Sequence, residues 1–479
     1  MKQSIHIALI VIFILGIHLS VIADDFDDLV GLSDETSVEK TESGLDDLAS
    51  DEDLGTGLAE EFNDVEEDSS GLTVSFGGYL KILGYWNEEK YSDALWEYYQ
   101  GLAMAGHEIP KEQKLSGFNN VGTRMQVKVE GYLGDKARLF SAFNLNYNLA
   151  QSLHQNNSSN DEEDKSEIRM VESFVEIYDN SRTWKIGSQI VTWGYMEGFE
   201  VPTDRLNARD ESYKSTEYED SKLASTGVFL TQTISNQQLE LIYIPVTKPN
   251  VAPEFTDYLY TGTDENPEKK PDNSKWAIRF VGSVGNLDIT LSYIEGLDND
   301  PDLNASGDAK VYNRVRSPGL DLQYNAGSFL AKFSGAYYYT EDTEGDDPDT
   351  KNHWGKYAAG VEFNIGGSTI NLYAGQEVIA NYDDSASAQS TNFLLGQLRE
   401  RTDFVSGHIN ADFLTGNALN VVLMAAGYWD EEGEPVQSIY KMTLKYKIAD
   451  GLDVLCSPMY VNYLESTFID WQAEVKYSF

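Results

Sequence analysis

The feature that most constrains this chain is a strict two-residue alternation. From Leu72 to Trp86 every even position is apolar or Gly, while the odd positions include Thr73, Ser75, Tyr79 and Lys81. At the other end Thr467, Ile469, Trp471, Ala473, Val475, Tyr477 and Phe479 alternate with Phe468, Asp470, Gln472, Glu474, Lys476 and Ser478. Successive side chains of a strand point to opposite faces, so such a segment has one apolar and one polar wall. Similar segments are expected at 121–133, 137–149, 168–178, 182–193, 223–234, 237–246, 275–284, 287–296, 316–325, 328–340, 355–365, 368–380, 400–413, 418–429, 435–448 and 451–462. With the two end strands this makes 18.

The connections alternate too. Gly134-Asp135, Asn180-Ser181, Ser235-Asn236, Gly285-Asn286, Asn325-Ala326-Gly327, Gly366-Gly367, Thr415-Gly416-Asn417 and Asp450-Gly451 read as tight turns. Between them lie mostly long polar stretches: 87–118, 150–167, 194–222, 247–274, 297–315, 341–354, 381–397 and 430–434, with a short last connection near 463–466. Eight turns on one edge and nine connections on the other are what 18 strands give when both termini face the same side. The expected fold is all-β: a transmembrane antiparallel β-barrel of about 18 strands, apolar toward lipid, with short turns in the periplasm and long loops outside. A soluble propeller or sandwich would explain neither the alternation of lengths nor the aromatic carboxy-terminus. No apolar run reaches 18 residues after the leader, which excludes a helical membrane bundle.

Residues 1–23 read as a secretory signal peptide: Lys2, an apolar run from Ile7 to Ile17, and Val21-Ile22-Ala23 before the expected cleavage. Residues 24–70 hold 19 acidic side chains and one basic one, Lys40. Such a segment repels itself and buries too little apolar surface to fold alone, so a disordered periplasmic leader is expected, either a spacer or a tail that docks on a basic periplasmic partner. The barrel is assigned to 71–479.

The whole chain carries a net charge of −44, which argues against nucleic acid as a partner. Its single Cys456 excludes an intrachain disulfide framework and multi-Cys zinc sites. No cofactor and no metal site is expected. Asp298, Asp300 and Asp302 begin like a calcium loop, but Leu303 stands where that motif needs Gly. The acid-rich outer loops suit divalent cations bridging lipopolysaccharide, and outer-membrane lipid is an expected partner.

Basic residues recur on the polar faces of the strands: Lys81, Arg124, Lys128, Arg138, Arg169, Lys185, Arg279, Lys441, Lys445, Lys447 and Lys476. These are the candidate pore-lining residues. Unpaired, they favour passage of anions; paired with Glu130, Glu172, Glu176, Glu362, Asp470 and Glu474, they shape a lumen without selecting. Both readings stand at this point.

One connection reads as more than wall. Thr192-Trp193-Gly194 leads to Pro202-Thr203-Asp204-Arg205-Leu206-Asn207-Ala208-Arg209-Asp210. Alternating Arg and Asp can pair internally, so Trp193, Asp204, Arg205, Arg209 and Asp210 are candidates for a constriction loop folded into the pore, with Arg205 and Arg209 facing solute. The alternative is a structured rim.

Glu172-Ser173-Phe174-Val175-Glu176-Ile177-Tyr178, Trp184-Lys185-Ile186-Gly187-Ser188-Gln189, Trp193-Gly194, Asp204–Asp210 and Leu239–Val246 with Lys248-Pro249 together resemble a little-characterised family of Gram-negative outer-membrane β-barrels near the porin and alginate-export barrels. The likeness covers about 170–255. Ser188 stands where that family has Arg, and Leu206-Asn207-Ala208 replaces its Asn-Pro pair. The resemblance implies passive passage or export of a solute. The terminal Phe479, with Tyr477 two residues before it, resembles the signal that such barrels present to their assembly machinery.

A hydrolase would need a Ser–His pair on the wall. Ser406 and His408 share a strand face, but two residues apart is a poor approach geometry, so catalysis is not expected. The expected function is a porin-like channel in the outer membrane for passive passage of a hydrophilic solute, an anion if the wall charges are unpaired; the alternative is a docking barrel whose leader or loops bind an envelope component.

Overall fold

The computed structural model describes residues 72–479 except 105–111, 149–165, 197–200, 211–220, 252–266, 269, 305–308, 386–387, 389–391, 393–395, 415 and 417. The stretches expected to be the signal peptide (1–23) and the acidic leader (24–70) lie outside the described residues.

Twenty strands follow one another: β1 (Leu72–Lys90), β2 (Lys114–Leu133), β3 (Ala137–Asn148), β4 (Ser166–Asp179), β5 (Arg182–Gln189), β6 (Ser225–Ile234), β7 (Gln237–Ile244), β8 (Lys275–Val284), β9 (Leu287–Leu297), β10 (Asp302–Leu303), β11 (Lys310–Val311), β12 (Arg314–Asn325), β13 (Leu330–Tyr338), β14 (Trp354–Ile365), β15 (Ser368–Ile379), β16 (Arg401–Phe413), β17 (Leu419–Asp430), β18 (Pro435–Ala449), β19 (Leu452–Tyr463) and β20 (Ser466–Ser478). Eighteen of them form one antiparallel sheet; β10 and β11 are a separate small hairpin within a long connection. Sequential neighbours pair throughout, β9 pairs with β12, and β20 returns to β1 over Tyr79–Lys90. The sheet is therefore closed and has no free edge.

The alternation sets the two faces. On β1 the odd positions Tyr79, Lys81, Leu83 and Tyr85 are buried inside, while Val74, Phe76 and Leu80 are exposed outside. Across the seam Lys81 stands opposite Lys476 and Trp86 opposite Trp471. Outward aromatic residues cluster near both ends of the wall: Tyr324, Phe413, Tyr446 and Tyr477 at the short-turn end, Tyr243, Trp276, Tyr339 and Tyr357 at the long-loop end. An exposed apolar belt of this extent suits a wall solvated by lipid, with aromatic girdles at its two borders.

The expected strand number and the eight-and-nine division of connections hold. Two differences go beyond a shift of a few residues at a strand end. The stretch 87–118 is not one loop: β1 continues to Lys90, a helix α1 spans Asp93–Met104, and β2 begins at Lys114. The Ser92 hydroxyl accepts the Leu95 N–H at 3.3 Å, and Asp93 places an acid in the first turn, which is why the helix starts there. The strand expected over 182–193 stops at Gln189, because the chain there leaves the wall.

Candidate functional site: a segment folded across the lumen

Beyond Gln189 the backbone hydrogen-bonds to side chains instead of a neighbouring strand. Ile190 N–H donates to Glu172 Oε1 at 2.7 Å and Val191 N–H to Asn207 Oδ1 at 2.7 Å. Asn207 Nδ2 donates to the carbonyls of Gln189 and Leu223 at 3.2 and 2.8 Å, tying the outgoing and returning arms together. These side chains satisfy backbone groups that would otherwise be unpaired away from the sheet.

Trp193 is 1% exposed and packs with Leu206 against Phe229, Ile242, Ile244, Ala277 and Ile294 on the inner faces of β6 to β9. Tyr195 then hydrogen-bonds through its hydroxyl to Thr290 of β9 at 2.8 Å. Met196 packs against Ala358, Phe404, Ala426, Tyr428 and Val436, a cluster drawn from β14, β16, β17 and β18. The strand order puts β17 directly across the ring from β6. The segment therefore reaches from one wall to the opposite one. Gly194 permits the turn: its φ is +95°, and a Cβ there would lie 2.3 Å from Val201 Cγ1.

The return arm is anchored on β12 and β13. Thr203 Oγ1 donates to the carboxylate of Asp321, 2.9 Å from each oxygen, and Ser334 Oγ donates to Asp321 Oδ1 at 2.6 Å. The Tyr338 hydroxyl donates to the Pro202 carbonyl. Gly319 makes room for this contact, since a Cβ there would lie 2.7 Å from Thr203 Cγ2. Asp321 and Ser334 are fully buried although they face the lumen, because the segment covers them.

A cavity of about 320 Å³ opens beside the segment, lined by Asp204, Arg205, Arg209, Asp300, Tyr338, Lys351, Trp354, Lys356 and Glu377 among others. Its charges are mixed. Arg205 Nη2 lies 2.7 Å from Asp298 Oδ1 and 3.1 Å from Asp300 Oδ2, and its guanidinium sits 5.1 Å from the ring centre of Tyr338, which stacks on Trp354. Asn250 donates to Asp300. Lys351 lies 2.7 Å from Asp302. Burial pushes the Asp298 carboxyl up, but Arg205, Lys351 and Lys275 outweigh it and hold it at about 2. Burial lowers the Lys351 ammonium, but Asp302, Asp298 and Asp300 outweigh it and hold it above its ordinary value. The three aspartates that begin like a calcium loop thus face guanidinium and ammonium groups.

The sequence candidates divide. Asp204, Arg205 and Arg209 line the cavity, with Asp204 bridged by Lys222 at 2.8 Å and by Arg209 at 3.5 Å. Arg205 pairs with another connection, not within its own loop. Asp210 turns to the wall and pairs with Arg169 at 2.9 Å. Trp193 is an anchor, with Arg279 5.1 Å above its ring. Of the eleven pore-lining candidates, seven pair with carboxylates: Lys81 with Glu474, Arg138 with Glu130 and Glu176, Arg169 with Asp210, Lys185 with Glu176, Arg279 with Glu240, Lys445 with Asp453 and Lys447 with Asp450. Arg124 donates to Asn146 at 2.9 Å and Lys476 lies 4.7 Å from the Tyr79 ring centre. Lys128 and Lys441 share the same inward register. The wall is thus largely salt-bridged. Tyr477 and Phe479 face outward, and Phe479 exchanges two backbone hydrogen bonds with Gly78 of β1, at 3.0 and 3.1 Å.

Sequence reasoning missed Asp321, Ser334, Tyr338, Trp354, Lys351, Lys356 and Glu377. Most lie on the lumen-facing register already assigned, but nothing local distinguishes a wall residue that meets the loop from one that does not.

No protein-family model and no curated protein matches the chain. Solved structures do. OccAB1 and OccAB4 of Acinetobacter baumannii superpose with a TM-score of 0.51 each, at 11% and 12% identity, over 84% of this chain and 96% and 98% of theirs. The outer membrane protein opdK of Pseudomonas aeruginosa superposes with a TM-score of 0.51 at 10% identity, over 85% of this chain and 99% of that one. At such identities the likeness is one of fold: a large, closed antiparallel β-barrel of 18 strands.

Proposed function

We propose that this chain is an outer-membrane channel for passive passage of a small hydrophilic solute. The observation that carries the reading is the pair of described arms, Ile190–Met196 and Val201–Asp210, which reach across the lumen of a closed barrel and wall a charged cavity. At about 320 Å³ the cavity has the size of a small-molecule site, which favours a small solute over a polymer. The barrel fold shared with outer-membrane porins supports the location, and the sequence resemblance over 170–255 points the same way.

The paired wall charges lead us to a channel of weak ion selectivity, because a neutralised pair contributes little net field to passing ions. The test is the reversal potential across a planar bilayer in a tenfold salt gradient. Values near zero are expected. Strong anion preference would show that the wall cations dominate, and strong cation preference would show that the outer acids do; either result overturns the paired-wall account of selectivity.

A further inference from the structure

The outer face of the barrel carries one patch that neither the lumen nor the apolar belt explains. At the long-loop end Trp276 of β8, Glu295 of β9, Arg316 of β12 and Tyr339 lie side by side in register. Their neighbours on β12, Val315 and Ser317, face inward, so Arg316 points out of the barrel. Arg314, two residues above, points the same way.

Two guanidinium groups share one carboxylate here. Arg314 Nε lies 3.1 Å from Glu295 Oε1, and its Nη1 donates to the Asp272 carbonyl at 2.6 Å. Tyr293 donates to the other oxygen of Glu295 at 3.0 Å. Arg316 reaches the same carboxylate only through Nε, at 3.5 Å, and its side chain is 62% exposed. Glu295 is thus already held by Arg314 and Tyr293, and the terminal nitrogens of Arg316 have no ion-pair partner among the described residues. Another outward pair at this end, Arg401 with Asp403, is one to one at 3.3 Å.

A surplus cation on a lipid-facing wall is costly unless an anion meets it. The aromatic residues on either side place Arg316 at the level of lipid headgroups. A planar guanidinium presents two parallel N–H donors that match a phosphate. From this charge complementarity we infer that Arg316, supported by Arg314, binds the phosphate of a phosphorylated outer-leaflet lipid. The inference rests on the membrane reading of the outer wall, not on conduction, so a silent channel would leave it standing.

The test measures binding of the full-length protein in detergent, with chelator present, to phosphorylated lipid A, to the same lipid with its phosphates removed, and to inorganic phosphate. Phosphorylated lipid A is expected to bind, and Arg316→Gln to weaken it about tenfold, the size of one lost charge-assisted hydrogen bond. Arg401→Gln, away from the patch, is expected to leave binding unchanged. Heat-modified migration on gels confirms that each variant remains folded. Equal binding of the dephosphorylated lipid, no effect of Arg316→Gln, an equal effect of Arg401→Gln, or inorganic phosphate binding as tightly as the lipid would each overturn the assignment.

Discussion

At the residue scale, Asp321 is the side chain on which the lumen segment most depends. It is fully buried, accepts from Thr203 on the segment and Ser334 on the wall, and stands beside Gly319, where the segment comes closest to β12. Replacing it with Ala leaves two buried hydroxyls without their acceptor, a local cost of about 1–3 kcal/mol. The expected result for Asp321→Ala is a folded barrel whose open-channel current is noisier than that of the parent, read in single-channel recordings. An unchanged noise spectrum would mean that the Pro202–Tyr338 contact and the Trp193 cluster hold the arm alone. This residue was not legible beforehand. Its position on the polar face of a strand was, but its partner lies 118 residues away in sequence. Trp193, by contrast, was legible as part of a loop folded into the pore, although the strand pattern ran through it and the chain leaves the wall earlier, at Gln189.

At the element scale, two connections lock together. The segment that crosses the lumen supplies Arg205, and the connection after β9 supplies Asp298 and Asp300 to receive it. Asp298 is held at about 2, below the ordinary carboxyl value of 3.8. A group depressed in the folded state contributes stability above its unfolded pKa, and that contribution is lost as pH falls through the folded value. The lock should therefore be intact above about pH 4 and fail progressively toward pH 2. Current recorded over that range is expected to begin fluctuating between levels as pH falls, and Arg205→Met is expected to fluctuate already at neutral pH. A parent current steady down to pH 2 would contradict this. The strands themselves were well read from period and turn residues, since side-chain alternation is a local property. The early end of β5 and the helix α1 were not: both occur where side-chain partners from distant elements, or a cap within a long polar stretch, replace the ladder.

At the scale of the whole molecule, the net charge of −44 is divided among parts with different roles. Residues 24–70 carry 19 of the acids, outside the described residues. Within the barrel many of the lumen-facing carboxylates are tied to Lys or Arg, so much of the basic charge visible in the sequence is paired. That pairing could not be read from the sequence, because it depends on which strands become neighbours and at what register. Strand number and closure could be.

The central claim is that a segment folded across a closed barrel sets the passage through it. Single-channel conductance in a planar bilayer tests this most directly, comparing the parent with a variant in which Tyr195–Thr203 is replaced by a short Gly-Ser link. The account predicts a small, defined conductance for the parent and one several-fold larger for the variant. A variant that folds but conducts no more than the parent would contradict it.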